Sequence, residues 1–372
     1  MIKTTKKKIL CVFGTRPEAI KMCPLVNELK KREDAETLVC VTGQHREMLD
    51  GVLRVFCVSS DFDLSVMREG QSLSYLTSAI LCGVDKVICE ARPDIVLVHG
   101  DTITAFASAL SAFYRKIPVA HIEAGLRSGD MFSPFPEEFD RRAISLLSSY
   151  HFAPTNEARM NLISEEIPRE RIFVTGNTVT DAIKFTVKKD ISIPEFLESS
   201  LKKDKKMIIF TAHRRENLGA PMENMLRALV RVVKQFSDVF AVCPLHKNPG
   251  VRETAQKFLF GHERIFCIEP PEVDIFHNLL ARSHLILTDS GGIQEEAAFL
   301  GKPALVMRNV TERQEGIDEG VLRLVGTDEE NIFKETAKLL SDDSEYNAAA
   351  RPTYRFGDGR ASARICDILL KI

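Results

Sequence analysis

A chain of 372 residues, 44% apolar and 27% charged, exceeds the size at which a single core usually keeps growing, so two globular domains are expected. A formal net charge of −2 argues against a nucleic-acid partner, and the basic runs at 6–8 and 202–206 read as solvated edges. Nine cysteines without a CxxC pair or a Cys/His cluster exclude a disulfide framework and a zinc-like site, and fit a reducing cytoplasm.

The chain opens MIKTTKKKILCVFG, too short an apolar stretch for a signal segment, and no later window approaches a membrane span. Strand-like runs at 9–13, 37–42, 95–99, 119–122 and 171–175 alternate with helical patterns, the first two helices starting near Pro17 and Glu47. From about 185 to 206 the sequence turns polar and carries a proline-containing stretch. A second strand–helix series follows, with strands at 207–212, 239–244, 265–268, 285–288 and 304–307. Such alternation predicts parallel βαβ units, hence doubly wound α/β sheets. The domains are expected at 1–184 and 185–360, with an amphipathic terminal helix at 361–372 that could pack on either one.

The unusual polar residues fall just past predicted strands: Thr15-Arg16, Gln44-His45, Asp101 and Glu123 in the first half, then His213, His246 and Asp289-Ser290 in the second. In parallel α/β sheets the carboxyl ends of strands face the ligand crevice. Two domains presenting those ends would form one cleft between them.

In LILTDSGGIQEEA, a strand runs through Ser290-Gly291-Gly292 into a helix. Ser290 can cap that helix, and two residues without Cβ let an anion approach free N–H groups at its positive end. A diphosphate fits, although the same turn can be purely structural. GTRPEAIKM places Arg16 and Lys21 near another helix start, a fork and a point charge for phosphate or carboxylate. No GxGxxG follows a strand and no P-loop occurs, which disfavours nicotinamide and Walker-type nucleotide binding; neither cofactor nor metal is expected.

Asp101, Glu123 and Glu137 are three acids after or near strands of the first half. Carboxylates would weaken a site that only held a diphosphate, so beside an anion site they suggest proton transfer. His213 could donate to a phosphate, take part in proton transfer or serve a structural role. Arg313, in TERQE, could join the same cleft or form a surface ion pair.

Together FGTRPEAIKM, VTGQHREMLD, VHGDT, HIEAGLRSGD, SPFPEE, TGNTVTDA, TAHRREN, LTDSGGIQEEA and RNVTERQEG resemble the non-hydrolysing UDP-N-acetylglucosamine 2-epimerases, in order and spacing from about residue 9 to 360. The resemblance implies a GT-B-like fold of two Rossmann-like domains, with the terminal helix crossing back to the first. It implies nucleotide binding by Ser290, Gly291, Gly292, Glu296 and Arg313, with Arg16, Lys21 and His213 near the diphosphate, and acid–base work by Asp101, Glu123 and Glu137. It further implies UDP-N-acetylglucosamine and UDP-N-acetylmannosamine as substrate and product, a homodimer, and a place in polysaccharide biosynthesis. Some members of that family also bind substrate at an activating site; Gln44, His45, Arg46 and Gln71 match part of it, but Gly70 stands where those enzymes have an arginine. The chain departs from the family where Asp140 replaces the asparagine of PEExNR and Gln314 the proline of TERPE.

The C2–H bond of this sugar is not α to a carbonyl, so direct deprotonation would leave an unstabilised carbanion. Eliminating UDP to a 2-acetamidoglucal and adding it back solves the problem, given a base, an acid and groups that hold UDP. A GT-B glycosyltransferase, a hydrolysing 2-epimerase and a non-catalytic UDP-sugar-binding protein are the rival expectations.

Overall fold

The structure, a computed structural model, describes residues 6–43, 46–67, 70–188, 191, 193–201 and 205–372. The apolar runs become strands buried on both faces, as parallel sheets covered by helices require. Ile95–His99, for example, is buried at every position.

The chain divides into two units, the first running to Phe185 and taking back Gly357–Ile372, the second spanning Thr186–Phe356. The first holds β1 (Lys7–Phe13), β2 (Ala35–Val41), β3 (Phe62–Asp63), β4 (Ile95–His99), β5 (Val119–Ile122), β6 (Tyr150–Ala153) and β7 (Ile172–Val174). Their order is β3-β2-β1-β4-β5-β6-β7, all parallel. The second holds β8 (Lys206–Thr211), β9 (Val239–Pro244), β10 (Ile265–Ile268), β11 (Leu285–Thr288), β12 (Ala304–Val306) and β13 (Leu322–Leu324), in the order β10-β9-β8-β11-β12-β13, again all parallel.

Successive residues of a strand face opposite sides of the sheet, and each side finds its own helices. Ile208 and Phe210 of β8 pack with Met225 and Leu229 on one face. Ile209 packs with Leu279 and Ile293 on the other. In the first unit Leu10, Val12, Val96 and Val98 pack against Ile80 and Val84. The terminal helix Ala361–Leu369 packs on the first helix, Arg16–Lys30, burying Ile365, Cys366 and Leu369. The Asp181 carboxylate accepts from Ala361 N at 3.1 Å and Ser362 N at 2.9 Å, supplying acceptors that this helix start lacks from its own N-cap side chain.

Each sheet reverses its direction of growth once, between β1 and β4 in the first unit and between β8 and β11 in the second. Helices then leave in opposite directions and open a crevice at the carboxyl ends of those strands, the usual ligand position in such sheets. No helix among the described residues is long and apolar enough to cross a membrane.

Candidate functional site

At the first reversal, the chain leaves β1 as Gly14-Thr15-Arg16 and β4 as Gly100-Asp101-Thr102. The buried Glu18 carboxylate ties these turns together, accepting from Gly14 N (3.0 Å), Thr15 N (2.7 Å) and Thr102 Oγ1 (2.7 Å). Thr15 completes a capping box with Glu18, so T-x-x-E already marked this helix start. Burial pushes the Glu18 carboxyl up while those hydrogen bonds pull against it. Gly14 is required by space, because a Cβ there would collide with Thr42 Oγ1 and lie 2.6 Å from Thr104 Oγ1. Arg16 opens the helix, half-buried.

The acids line the same sheet edge. Asp101 follows β4 and pairs with the buried Arg141, which also reaches Glu138 at 3.2 Å. Glu123 follows β5 with φ +63, a left-handed conformation costly for a residue with a side chain. Its carboxylate pairs with buried Lys21, accepts from Asn177 Nδ2 at 2.7 Å and lies 3.5 Å from His99 Nε2. Lys21, anticipated at a diphosphate, therefore lies against an acid. A Cβ on Gly100 would come within 3.3 Å of Glu123 Oε2, which places that acid beside the Asp101 turn. Burial holds the His99 imidazole down at about 4, so it is neutral at physiological pH. Glu137 opens the helix Glu137–Leu147, with Glu138 and Asp140 in the same first turn.

At the second reversal Thr211 and Thr288, the last residues of β8 and β11, share a hydroxyl hydrogen bond of 2.8 Å. Asp289, fully buried, accepts from His213 N at 3.0 Å, Arg214 N at 3.0 Å and Asn217 Nδ2 at 2.9 Å. Arg214 Nε returns to the Asp289 carbonyl at 2.9 Å. One carboxylate thus fixes HRREN against the TDSGG turn. The half-exposed His213 ring stacks on His246, centroids 5.2 Å apart.

Ser290 occupies the N-cap position of the helix Gly291–Leu300, but its hydroxyl makes no capping bond, contrary to the sequence expectation. The turn is pinned instead by Thr288 Oγ1, which accepts from Ser290 N at 3.0 Å, and by Asp289. First-turn N–H groups are therefore not met by that hydroxyl, which suits an anion site. The two glycines differ: a Cβ on Gly291 would lie 3.0 Å from Arg313 Nη1, whereas one on Gly292 meets no described atom within 4 Å.

Arg313 is buried and bound to Glu295 at 2.9 Å and to Glu312. Burial opposes ionisation of Glu312, but Arg313, Arg308 and Arg214 outweigh it and hold its carboxyl down at about 2. Glu296, buried on the same helix as the glycines, lies 3.6 Å from His277 Nε2, and His277 Nδ1 is 2.6 Å from Thr186 Oγ1.

Gln44 and His45 lie outside the described residues. Arg46 starts the helix Arg46–Val55, and Gln71 lies just before the helix Leu73–Ala91, its Nε2 3.1 Å from Met67 Sδ. Among the described residues no group of three or more His, Cys, Asp or Glu is arranged to hold a metal ion. Sequence reasoning passed over Glu18, His99, Arg141, Asn177 and His277 as functional side chains. Only Glu18 carried a local signal; the others reach the edges through contacts distant in sequence.

A family model described as UDP-N-acetylglucosamine 2-epimerase matches residues 27–370. The UDP-N-acetylglucosamine 2-epimerase of Bacillus subtilis is 52% identical, covering 98% of this chain and 95% of its own. The crystal structure of the Neisseria meningitidis UDP-GlcNAc 2-epimerase bound to UDP-GlcNAc superposes with a TM-score of 0.93 at 45% identity, covering 98% and 100% of the two chains. The Methanocaldococcus jannaschii UDP-GlcNAc 2-epimerase, in complex with UDP-GlcNAc and UDP, gives 0.84 at 32% identity with the same coverage.

Proposed function

The chain belongs to the UDP-N-acetylglucosamine 2-epimerase family, and from that membership we propose that it interconverts UDP-N-acetylglucosamine and UDP-N-acetylmannosamine. The observation that carries the reading is the gathering of Asp101, Glu123 and Glu137 along one sheet edge, in a chain whose second sheet ends in a helix start and a cationic loop. The first set suits proton transfer at carbon, the second suits a diphosphate.

The reaction runs by elimination and return. A carboxylate takes the proton from C2, the C1–O bond to UDP breaks, and the electron pair of the C–H bond becomes the C1=C2 bond of a 2-acetamidoglucal. UDP then re-forms the C1–O bond while a carboxylic acid protonates C2 from the opposite face. Asp101, Glu123 and Glu137 share the two proton transfers. Arg16, His213 and the Ser290-Gly291-Gly292 turn hold the leaving UDP, and Glu296 contacts its nucleoside. Arg313 supports that turn through Glu295 and Glu312. Lys21 holds Glu123 in place through their ion pair.

The enzyme works in the reducing cytoplasm, where its nine thiols remain free, and supplies a precursor for surface polysaccharide. It forms a homodimer, a reading supported by exposed Phe113, Tyr114 and Leu146 on two first-unit helices. Sedimentation at the monomer mass would remove that part. The activity itself is tested by incubating purified protein with UDP-N-acetylglucosamine in D2O and following it by NMR. The expected outcome is UDP-N-acetylmannosamine with deuterium at C2 and traces of glycal and UDP; free N-acetylmannosamine or unchanged substrate overturns the proposal.

A further inference from the structure

His121 stands in β5 among Val119, Ala120 and Ile122, and like them it is buried. Strands covered by helices on both faces favour apolar side chains, so a fully buried imidazole calls for a reason. Its Nε2 lies 2.7 Å from the carbonyl of Gly100, the residue before Asp101, and its Nδ1 is buried without a hydrogen-bond partner among the described residues. The register partner on β6 is another buried histidine, His151, and no hydrogen bond joins the two rings. Burial holds the His121 imidazole down at about 3, so the ring is neutral and carries one N–H. A carbonyl only accepts, which puts that proton on Nε2 and makes the ring the donor to Gly100.

Gly100 is a place where such a donor matters. Its φ of +65 lies in the left-handed region, and a residue without a side chain holds one orientation only if its neighbours fix it. β5 holds it at both ends: Gly100 N donates to the Ile122 carbonyl at 2.9 Å, and the Gly100 carbonyl accepts from His121. On the far side of Asp101 the Thr102 hydroxyl donates to Glu18 at 2.7 Å and accepts from Ala105 N at 3.0 Å. The Asp101 backbone is thus bracketed, by His121 before it and by Glu18 after it. We propose that His121 is the positioning residue for Asp101: its N–H orients the Gly100–Asp101 peptide and so aims the carboxylate that Arg141 pairs with. In this role the imidazole neither binds substrate nor transfers a proton. The inference rests on the proposed epimerisation, in which Asp101 shares the proton transfers.

The test compares His121→Leu, which removes the donor, with His121→Gln, whose terminal amide keeps an N–H donor at similar reach. A catalytic group misplaced by about 1 Å loses on the order of 100-fold, so kcat should fall by about 100-fold in the leucine variant and return to within about tenfold of wild type in the glutamine variant. UDP affinity by calorimetry should change less than about threefold in both, because only the chemical step depends on Asp101. A double-mutant cycle supplies the second readout. In an Asp101→Asn background His121→Leu should cost less than about twofold, whereas a general loosening of structure would lower the residual activity by the full factor again. Wild-type kcat in the leucine variant, glutamine no better than leucine, a parallel loss of UDP affinity, or additive losses in the cycle overturns the proposal. If urea unfolding shows that leucine unsettles the fold, His121→Asn decides: its amide falls a bond short of Gly100, so kcat should drop as in the leucine variant, and wild-type kcat there overturns the proposal. Wild-type protein that forms no UDP-N-acetylmannosamine would end the functional reading itself, a failure distinct from that of the positioning role.

Discussion

The two units solve the same local problem and then diverge. At the first reversal Glu18 receives backbone N–H groups from the turn after β1 and the hydroxyl of Thr102 after β4. At the second, Asp289 after β11 receives N–H groups from the turn after β8. A buried carboxylate stitches adjacent strand ends in both, since charge-assisted bonds to backbone N–H groups hold a turn more firmly than neutral ones. What surrounds each stitch differs. The first edge gathers Asp101, Glu123, Glu137 and Asp140, two of them tied to Arg141 and Lys21. The second gathers Arg214, Arg308 and Arg313 around Glu312, beside a helix start. Equivalent scaffolds thus carry opposite chemistry, one suited to moving protons and the other to holding an anion.

The sharpest way to break this division is to neutralise one first-unit acid at a time. Glu123→Gln should lower kcat by about 10³-fold, within the range of a general acid–base group, while UDP affinity measured by calorimetry changes less than about threefold. A parallel loss of UDP binding would mean that the acids are not dedicated to chemistry. Arg313→Met reverses the expectation. It leaves Glu295 and Glu312 buried without their shared partner, a cost of about 3–5 kcal/mol that chemical denaturation would read directly. A small loss would make Arg313 a ligand contact rather than a scaffold residue.

Much of this was legible in the sequence. The ranges of β4, β5, β9, β10 and β11 match the expected strands, because each is a compact apolar run bounded by turn residues. β3, β6 and β13 were not expected. Phe62–Asp63 has two residues and Leu322–Leu324 has three, centred on an arginine, so neither shows a usable period. The strand-end placement of Asp101, Glu123, His213 and Asp289 followed from the βα alternation alone. Their partners did not. Lys21 against Glu123, separated by 102 positions, and Arg141 against Asp101, separated by 40, depend on how distant helices pack. Ser290 failed as a cap for a related reason: Thr288 and Asp289 already hold the turn.

Acid should separate the two edges by sign. Glu312 sits at about 2 in the fold against its ordinary 4.5, so its stabilisation is complete above 4.5 and is lost as pH falls towards 2. The full effect is on the order of 3 kcal/mol. The stability gap between wild type and Glu312→Gln, taken from urea unfolding, should therefore narrow as pH drops below 4.5. Asp140 works the other way. Its carboxyl is raised from 3.8 to about 7, so protonation favours the fold, and that contribution is lost as pH rises from about 4 through 7. Asp140→Asn should gain on wild type in stability across that interval, and a flat difference would mean that Asp140 is not desolvated.

The finest comparison uses the paired threonines. Thr42 and Thr104 are 3.0 Å apart at the first reversal, Thr211 and Thr288 2.8 Å apart at the second. Changing Thr104 or Thr288 to valine keeps the volume and removes the hydroxyl, and each should cost about 1 kcal/mol of stability. Function should distinguish them. Thr288 also accepts from Ser290 N, so its loss loosens the turn that presents Gly291 and Gly292 and should weaken UDP binding by a few fold, about one hydrogen bond's worth. Thr104 supports the wall behind Gly14, and Thr104→Val should leave UDP affinity as it was. Equal effects on UDP affinity would mean that anion holding is not concentrated at the second reversal, and the contrast between the two edges would have to be redrawn.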